Sequence, residues 1–254
     1  MSVLFLLGGG IEESQYIRTY WRFIRAATVN KERSIAIVIA EQPDMDKARR
    51  EAFYRSAFEL FPVTAQQCHV LFASPDDPLS AARLEALQPT GVFVAGGRTP
   101  CYHDALCADR SWLDYTLARG LPYAGFSAGA VVLAEQAVMG GTRVALLHSN
   151  ADVAPADAGE GLEFLQVRAG LGLVPFAVEA HATQWGTLSR LAHAVGEGLV
   201  PRGWAIDEGC MLEIEGDELR VFGANNAYRV RRLGERSTQV DVFRAGTVLS
   251  RAAW

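Results

Sequence analysis

Residues 121–134 read LPYAGFSAGAVVLA, and this stretch decides the fold prediction. The pattern predicts a short buried strand that turns sharply at Ser127 and continues as an apolar helix. Gly125 and Gly129 flank the serine, so the turning backbone and the helix can approach each other without a Cβ clash. The positive end of the helix would favour an oxyanion beside Ser127. This context favours a nucleophile elbow over the alternative, a serine that only caps a helix.

Short apolar runs precede this stretch at regular intervals. Buried strands are predicted at residues 3–7, 34–40, 68–73 and 91–95, with helical patterns between them. This alternation predicts a three-layer α/β fold: a doubly wound, mostly parallel sheet with helices on both faces. Short β segments are expected after residue 205, and residues 1–254 are expected to form a single domain.

Two glycine-rich turns lie at the carboxyl ends of predicted strands, where such sheets bind ligands. The first, Gly8-Gly9-Gly10, lacks the spacing of a phosphate-binding loop and is followed by two acidic residues, so we predict a tight strand-to-helix turn. The second runs from Gly96 to Thr99, and the Ser127 turn lies at a strand end as well. Residues 140–160 are small, acidic and turn-rich, which predicts a long loop over the site.

The composition excludes several classes of partner. A net charge of −5 gives no electrostatic footprint for nucleic acid. The N-terminal apolar run is too short for a signal segment or a membrane span, and four cysteines without a C-x-x-C pair favour reduced thiols in a cytoplasmic protein. The histidines show no ligand spacing, so no metal and no cofactor are expected; they lie at positions 69, 103, 148, 181 and 193.

Four motifs occur in an order that resembles peptidase family S51, the dipeptidase E and cyanophycinase family of serine peptidases. They are Gly-Gly-x-Thr at 96–99, G-x-S-A-G-A at 125–130, G-L-G-x-x-P at 170–175 and Glu-x-His at 179–181. Residues 7–10 and 205–208 are similar to the cyanophycinase branch. The resemblance implies a class I glutamine amidotransferase-like fold and hydrolysis of peptide bonds next to acidic residues.

The resemblance also implies roles for individual residues. Ser127 would be the nucleophile and His181 the general base, and the backbone N–H groups of Gly97 and Ala128 would form the oxyanion hole. The chemistry agrees, because a serine hydroxyl needs a base that accepts its proton and returns it to the leaving amine.

The third member of the catalytic triad is less clear from the sequence. The family's acid lies some fifteen to eighteen residues after the serine, where this chain has no carboxylate. Counting back from His181 favours Glu160, with Asp157 and Asp152 as alternatives. An acid is expected because it orients the imidazole and stabilises the imidazolium. For any one of these acids taken alone, the composition of the loop favours a solvated surface charge.

Four further residues are candidates for substrate binding. Arg98 could bind a substrate carboxylate or point away from the site, and Thr99 follows it in the same loop. Glu179 could bind a substrate amino group or pair with a basic neighbour. Arg190 matches one of the arginines that follow the histidine in cyanophycinases, whereas Trp185 and Thr187 replace the others, which argues against the branched Asp-Arg polymer as substrate.

These observations lead to one preferred function and two alternatives. The preferred function is a serine exopeptidase that hydrolyses dipeptides or short peptides with an N-terminal aspartate through an acyl-enzyme on Ser127. The alternatives are a non-catalytic ligand-binding relative of the family, and a cyanophycinase-like or other amide or ester hydrolase. The expected partners are a small peptide substrate and further copies of the chain in a dimer or larger homo-oligomer, without nucleic acid or membrane.

Overall fold

The apolar runs of the N-terminal half form neighbouring parallel strands. The computed structural model describes residues 2–28, 33–146, 149–235 and 237–254, so His148 lies outside the described residues. Strands β1 to β5 are Leu4–Leu7, Ile35–Ala40, Cys68–Ala73, Gly91–Val94 and Tyr123–Phe126. Their order in the sheet is β1-β5-β4-β2-β3. All residues of β1, β2, β4 and β5 are buried, as expected for strands covered on both faces.

The helices that cover this sheet follow the predicted alternation. Helices α1 to α7 are Glu13–Ala26, Lys47–Glu59, Ala81–Leu87, Thr99–Cys107, Ser111–Ala118, Ala128–Val131 and Thr187–Gly196, with short 3-10 helices at Ala65–Gln67, Ala156–Ala158 and Arg251–Ala253. Aromatic side chains fix α1 and α2 to the sheet, because the rings of Tyr20 and Phe58 lie 5.0 and 5.1 Å from that of Phe93 in β4. Asp46 caps α2, because its side chain accepts from the backbone N–H of Arg49.

Residues 140–160 contain more regular structure than the predicted loop. Strands β6 to β9 are Gln136–Gly140, Arg143–Ala145, Asn150–Asp152 and Gln166–Ala169. β7 pairs with β8 as an antiparallel hairpin, and β6 pairs with β9. The described residues of this segment form local backbone pairs, which the small and acidic composition did not indicate.

The C-terminal part adds antiparallel strands to the large sheet and builds a second sheet. Strands β10 to β16 are Ala177–Ala180, Arg202–Ile206, Cys210–Glu215, Glu218–Gly223, Asn226–Gly234, Ser237–Arg244 and Val248–Ser250. β12, β13 and β16 extend the large sheet beyond β1, so that it has eight strands among the described residues. The second sheet has the order β10-β11-β14-β15. This architecture confirms the predicted mostly parallel α/β fold with short β segments near the C-terminus.

Across the described ranges, no helix combines the length and apolar character that crossing a membrane requires.

Candidate active site

Ser127 lies at the turn between β5 and α6 in a conformation that a non-glycine residue rarely adopts, with φ of 53° and ψ of −114°. Its backbone N–H donates to the carbonyl of Leu7 at 3.0 Å, which fixes the turn to the end of β1. The flanking glycines are sterically required: a Cβ at Gly125 would lie 2.3 Å from the carbonyl oxygen of Gly129, and a Cβ at Gly129 would lie 2.4 Å from that of Val94. The geometry is that of a nucleophile elbow.

The structure brings together a serine, a histidine and a carboxylate in hydrogen-bonding distance. The Oγ of Ser127 lies 2.8 Å from Nε2 of His181, and Nδ1 of His181 lies 2.7 Å from Oε1 of Glu208. A carboxylate only accepts, so Nδ1–H donates to Glu208 and Nε2 is left to accept from the serine hydroxyl. The hydrogen bond from His181 holds the pKa of the Glu208 carboxyl below its ordinary value, so the acid is ionised at neutral pH.

The three acids favoured by the sequence do not occupy the position beside His181. Glu160 accepts hydrogen bonds from the backbone N–H of Thr99 at 3.2 Å and from its hydroxyl at 3.3 Å. Asp152 pairs with Arg143 at 3.1 Å on the surface, and Asp157 is exposed at the edge of the cavity. Glu208 therefore replaces Glu160 as the acid partner of His181. Counting along the chain was misleading because the acid lies in the loop after β11, the strand that neighbours β10 in the second sheet.

Strand pairing explains why Glu208 reaches His181. β10 and β11 are parallel neighbours with Ala180 opposite Ile206, so the loops that follow them leave the sheet side by side. His181 follows β10 directly, and Glu208 is the second residue after β11. The sequence signal was present, since residues 205–208 belong to a motif similar to the family, but its acids were not considered as triad members.

The buried Asp207 fixes the relative position of these two loops. Its Oδ1 accepts from the backbone N–H of Thr183 at 3.0 Å and from the Thr183 hydroxyl at 2.6 Å. Its Oδ2 accepts from the hydroxyl of Tyr228 at 3.1 Å. Gln184 accepts from the backbone N–H of Glu208 at 2.9 Å, and the amide of Gln15 donates to its carboxylate at 3.4 Å. The carboxylate is thereby held in one orientation.

The glycine triplet after β1 is part of the site as well as a tight turn. The carbonyl of Gly8 accepts from the backbone N–H of His181 at 2.8 Å, next to the Leu7 carbonyl that holds Ser127. Gly9 has a φ of 96°, and a Cβ there would lie 2.2 Å from Cε1 of His181 and 2.7 Å from both ring nitrogens. A point this close to Cε1 and also to both nitrogens lies above the ring and not in its plane, so the Gly9 backbone packs against a face of the imidazole.

Trp185 covers the other face of the same ring, because the three atoms nearest to an added Gly9 Cβ all belong to the imidazole and none to the indole. Its indole is stacked on the imidazole of His181, with ring centroids 4.0 Å apart and an angle of 10° between the planes. Its backbone N–H donates to the carbonyl of His181 at 2.9 Å. In the sequence Trp185 is recognisable only as a departure from the family. Stacking between two loop residues four positions apart produces no sequence pattern that predicts it.

Three side chains orient the peptide group between Gly96 and Gly97. The carbonyl of Gly96 accepts from Nη2 of Arg50 at 2.5 Å, from the hydroxyl of Tyr102 at 2.9 Å and from that of Tyr54 at 3.3 Å. In a trans peptide the following N–H points in the opposite direction, so the Gly97 N–H points away from this cluster. Ala128 begins α6, where the first N–H groups have no partner within the helix.

Ser127 and His181 border a cavity of about 530 Å³, a size that suits a small-molecule ligand. Arg98 lies on its wall with an exposed side chain, and its guanidinium has no hydrogen-bond or ion-pair partner among the described residues. Glu160 lies on the same wall, and burial raises its pKa to about 7. The cavity therefore contains a fixed positive charge and an acid that titrates near neutral pH.

Two of the predicted substrate-binding residues are paired with each other inside the protein. Nε and Nη2 of Arg190 donate to the two carboxylate oxygens of Glu179 at 2.6 and 2.9 Å, and these residues are only 3% and 2% exposed. Neither borders the cavity. Arg190 also donates to the carbonyl of Ala158. The pair thus connects α7 to the segment that carries Glu160, and the predicted contact of Glu179 and Arg190 with substrate is not supported. Thr99 is buried against Glu160.

Comparisons with known proteins identify the family and the fold. The model of peptidase family S51 matches residues 4–222. The crystal structure of a peptidase from an acI-B1 Actinobacterium is similar, with a TM-score of 0.64, 17% identity and coverage of 98% of this chain and 97% of the other. A protein assigned as a Peptidase E from Listeria monocytogenes EGD-e gives a TM-score of 0.56 at 19% identity, with coverage of 89% and 100%. No curated protein matches in sequence. The family match covers most of the chain, and the chain therefore belongs to peptidase family S51.

Proposed function

We propose that this chain is a serine exopeptidase that releases an N-terminal aspartate from dipeptides or short peptides through an acyl-enzyme on Ser127. The observation that carries the proposal is the chain of hydrogen bonds from Ser127 through His181 to Glu208, at 2.8 and 2.7 Å. This arrangement also argues against the non-catalytic alternative, because all three groups are present and mutually oriented.

In this proposal the hydroxyl of Ser127 attacks the scissile carbonyl while Nε2 of His181 takes its proton. Glu208 stays ionised and stabilises the imidazolium. The N–H groups of Gly97 and Ala128 donate to the oxyanion of the tetrahedral intermediate. His181 then returns the proton to the leaving amine, and a water molecule, activated by the same imidazole, hydrolyses the acyl-enzyme and regenerates the serine.

The charges on the cavity wall support an N-terminal aspartate. The guanidinium of Arg98 has no partner among the described residues. It can therefore form a bidentate pair with the β-carboxylate of the substrate aspartate. Asp157 and Glu160 lie on the same wall and suit the α-ammonium group of a free N-terminus. In this proposal Asp157 has the ammonium-binding role predicted for Glu179, because Glu179 is paired with Arg190.

A cyanophycinase-like substrate preference is less well supported. The single arginine that matches the family's set after the histidine is Arg190, and it is buried in its pair with Glu179. An arginine in that state cannot bind substrate without leaving an unpaired buried carboxylate, which is strongly unfavourable.

The experiment is mass-spectrometric hydrolysis of a dipeptide panel with aspartyl, isoaspartyl, glutamyl and neutral N-termini before the same leucine. Wild type, Ser127→Ala and Ser56→Ala are compared, since Ser56 is exposed on α2 and does not border the cavity. We expect selective cleavage of Asp-Leu by wild type and Ser56→Ala, with no detectable cleavage by Ser127→Ala. Equal cleavage by Ser127→Ala would refute the mechanism, and equal rates for all N-termini would refute the aspartate preference alone.

A further inference from the structure

The imidazole of His181 is enclosed on two edges and on both faces. Its two nitrogens are engaged by Ser127 and Glu208, and its faces are covered by the backbone of Gly9 and the indole of Trp185. The indole of Trp185 therefore lies directly against the imidazole that exchanges protons with the substrate. The indole is nevertheless 44% exposed and borders the cavity, so part of its surface is left for substrate.

The two segments that flank the imidazole present apolar surface to the cavity. In the first segment, residues 9–11, Gly10 and Ile11 border the cavity. In the second, residues 181–185, Trp185 supplies the apolar surface. Ile11 is 73% exposed and borders the cavity, so its side chain is accessible to a substrate. Among the described residues, the charged side chains of the cavity wall come from other segments; they are Arg50, Arg98, Asp157 and Glu160.

The chemistry of peptide hydrolysis decides which part of a substrate meets this apolar surface. His181 must deliver a proton to the leaving nitrogen, so that atom has to come within about 3 Å of Nε2. The residue that carries the leaving nitrogen consequently lies beside the imidazole, against its flanking segments. The residue that forms the acyl-enzyme lies on the other side of the scissile bond, away from the leaving nitrogen.

We propose that Trp185, with Ile11, forms the subsite for the residue that follows the scissile bond and selects peptides in which that residue is large and apolar or aromatic. This inference rests on the proposed peptidase function and specifies the substrate residue that follows the scissile bond. An aromatic leaving residue stacks on the exposed part of the indole, whereas a charged one is desolvated there without a partner.

The test compares kcat/KM for Asp-Phe, Asp-Leu, Asp-Ala and Asp-Lys. Wild type is expected to prefer Asp-Phe over Asp-Ala by about tenfold or more, the discrimination typical of an apolar pocket. Trp185→Ala reduces this ratio to about twofold, and Trp185→Phe retains most of it because a ring is still present. The matched control is Trp21→Ala, since Trp21 is 39% exposed on α1 and does not border this cavity; it keeps the wild-type ratio.

The ratio between substrates separates a subsite from a merely structural role. Loss of the indole also loosens His181 and lowers kcat for every peptide, but a general loss leaves the Asp-Phe to Asp-Ala ratio unchanged. A variant Trp185→Ala that keeps the wild-type ratio, or a wild type without a preference, overturns the inference while leaving the peptidase function intact.

A second measurement does not depend on turnover. Calorimetry with Ser127→Ala is expected to show Asp-Phe bound about tenfold more tightly than Asp-Ala, and the double variant with Trp185→Ala is expected to bind both equally. Hydrolysis of none of the peptides by wild type refutes the proposed function. Equal binding of the two peptides by Ser127→Ala refutes the subsite, so the two failures are distinguishable.

Discussion

Gly9→Ala is the substitution whose effect follows most directly from the geometry of the site. The new methyl carbon would lie 2.2 Å from Cε1 of His181, whereas non-bonded carbons need about 3.5 Å, so the ring and the Gly9 backbone must separate by roughly 1.3 Å. The ring cannot retreat along its normal because the indole of Trp185 is stacked on the opposite face. It has to leave the line between Ser127 and Glu208. A displacement of this size typically costs about 10²-fold in rate.

Backbone strain has to be separated from this steric effect. Gly9 has a φ of 96°, where alanine is disfavoured by about 1–2 kcal/mol even in open space. Gly246 is a matched control, because its φ is 91° and no atom lies within 4 Å of an added Cβ.

The assay is kcat/KM for Asp-Leu, together with the rate at which a serine-directed phosphonate labels Ser127. We expect Gly9→Ala to lower both by about 10²-fold and Gly246→Ala to leave both within about twofold. Equal activities of the two variants would refute the role of Gly9 as the surface that positions the imidazole.

Three further predictions concern the groups around the triad. Tyr54→Phe removes both the acceptor of the Gly96 N–H and one donor to its carbonyl, so we expect kcat to fall about tenfold with little change in KM, measured by steady-state kinetics. Glu179→Ala leaves Arg190 buried without its partner and should lower the free energy of unfolding in urea by about 3–5 kcal/mol. Burial raises the pKa of Glu160 from 4.5 to about 7. Between pH 4.5 and 7 the carboxyl group is therefore protonated in the folded chain and ionised in the unfolded chain. The resulting stability is complete below pH 4.5 and is lost as the pH rises through 7. The decline is on the order of 3 kcal/mol between pH 4.5 and 8, and chemical unfolding of Glu160→Gln should lack it.

The central sheet could be predicted from the sequence because each strand is a short apolar run bounded by turn residues. Burial on both faces imposes this pattern on β1, β2, β4 and β5, and the chain carries it clearly. The elbow was predictable for a similar reason, since the close approaches around Ser127 admit only glycine at positions 125 and 129.

The carboxylate that binds His181 could not be predicted from a local pattern of this kind. Glu208 faces His181 because β10 and β11 are neighbours in a separate sheet, and this pairing joins segments some 25 residues apart without a local sequence pattern. Glu160 is a plausible acid by position, yet it binds Thr99 at the start of α4. Side-chain partners such as the pair between Glu179 and Arg190 likewise depend on the tertiary packing of α7 and β10.

The most direct test of the catalytic arrangement is to measure kcat/KM for Asp-Leu with Glu208→Gln and Glu160→Gln side by side. Replacing the triad carboxylate by an amide is expected to lower kcat/KM by about 10⁴-fold, because the imidazole loses its orientation and its countercharge. Glu160→Gln keeps an acceptor for Thr99 but loses the charge proposed to bind the substrate ammonium, so it should lower kcat/KM by about ten- to hundredfold. A Glu208→Gln enzyme with activity close to wild type, or a Glu160→Gln enzyme that is the more impaired of the two, would contradict the assignment of Ser127, His181 and Glu208 as the catalytic triad.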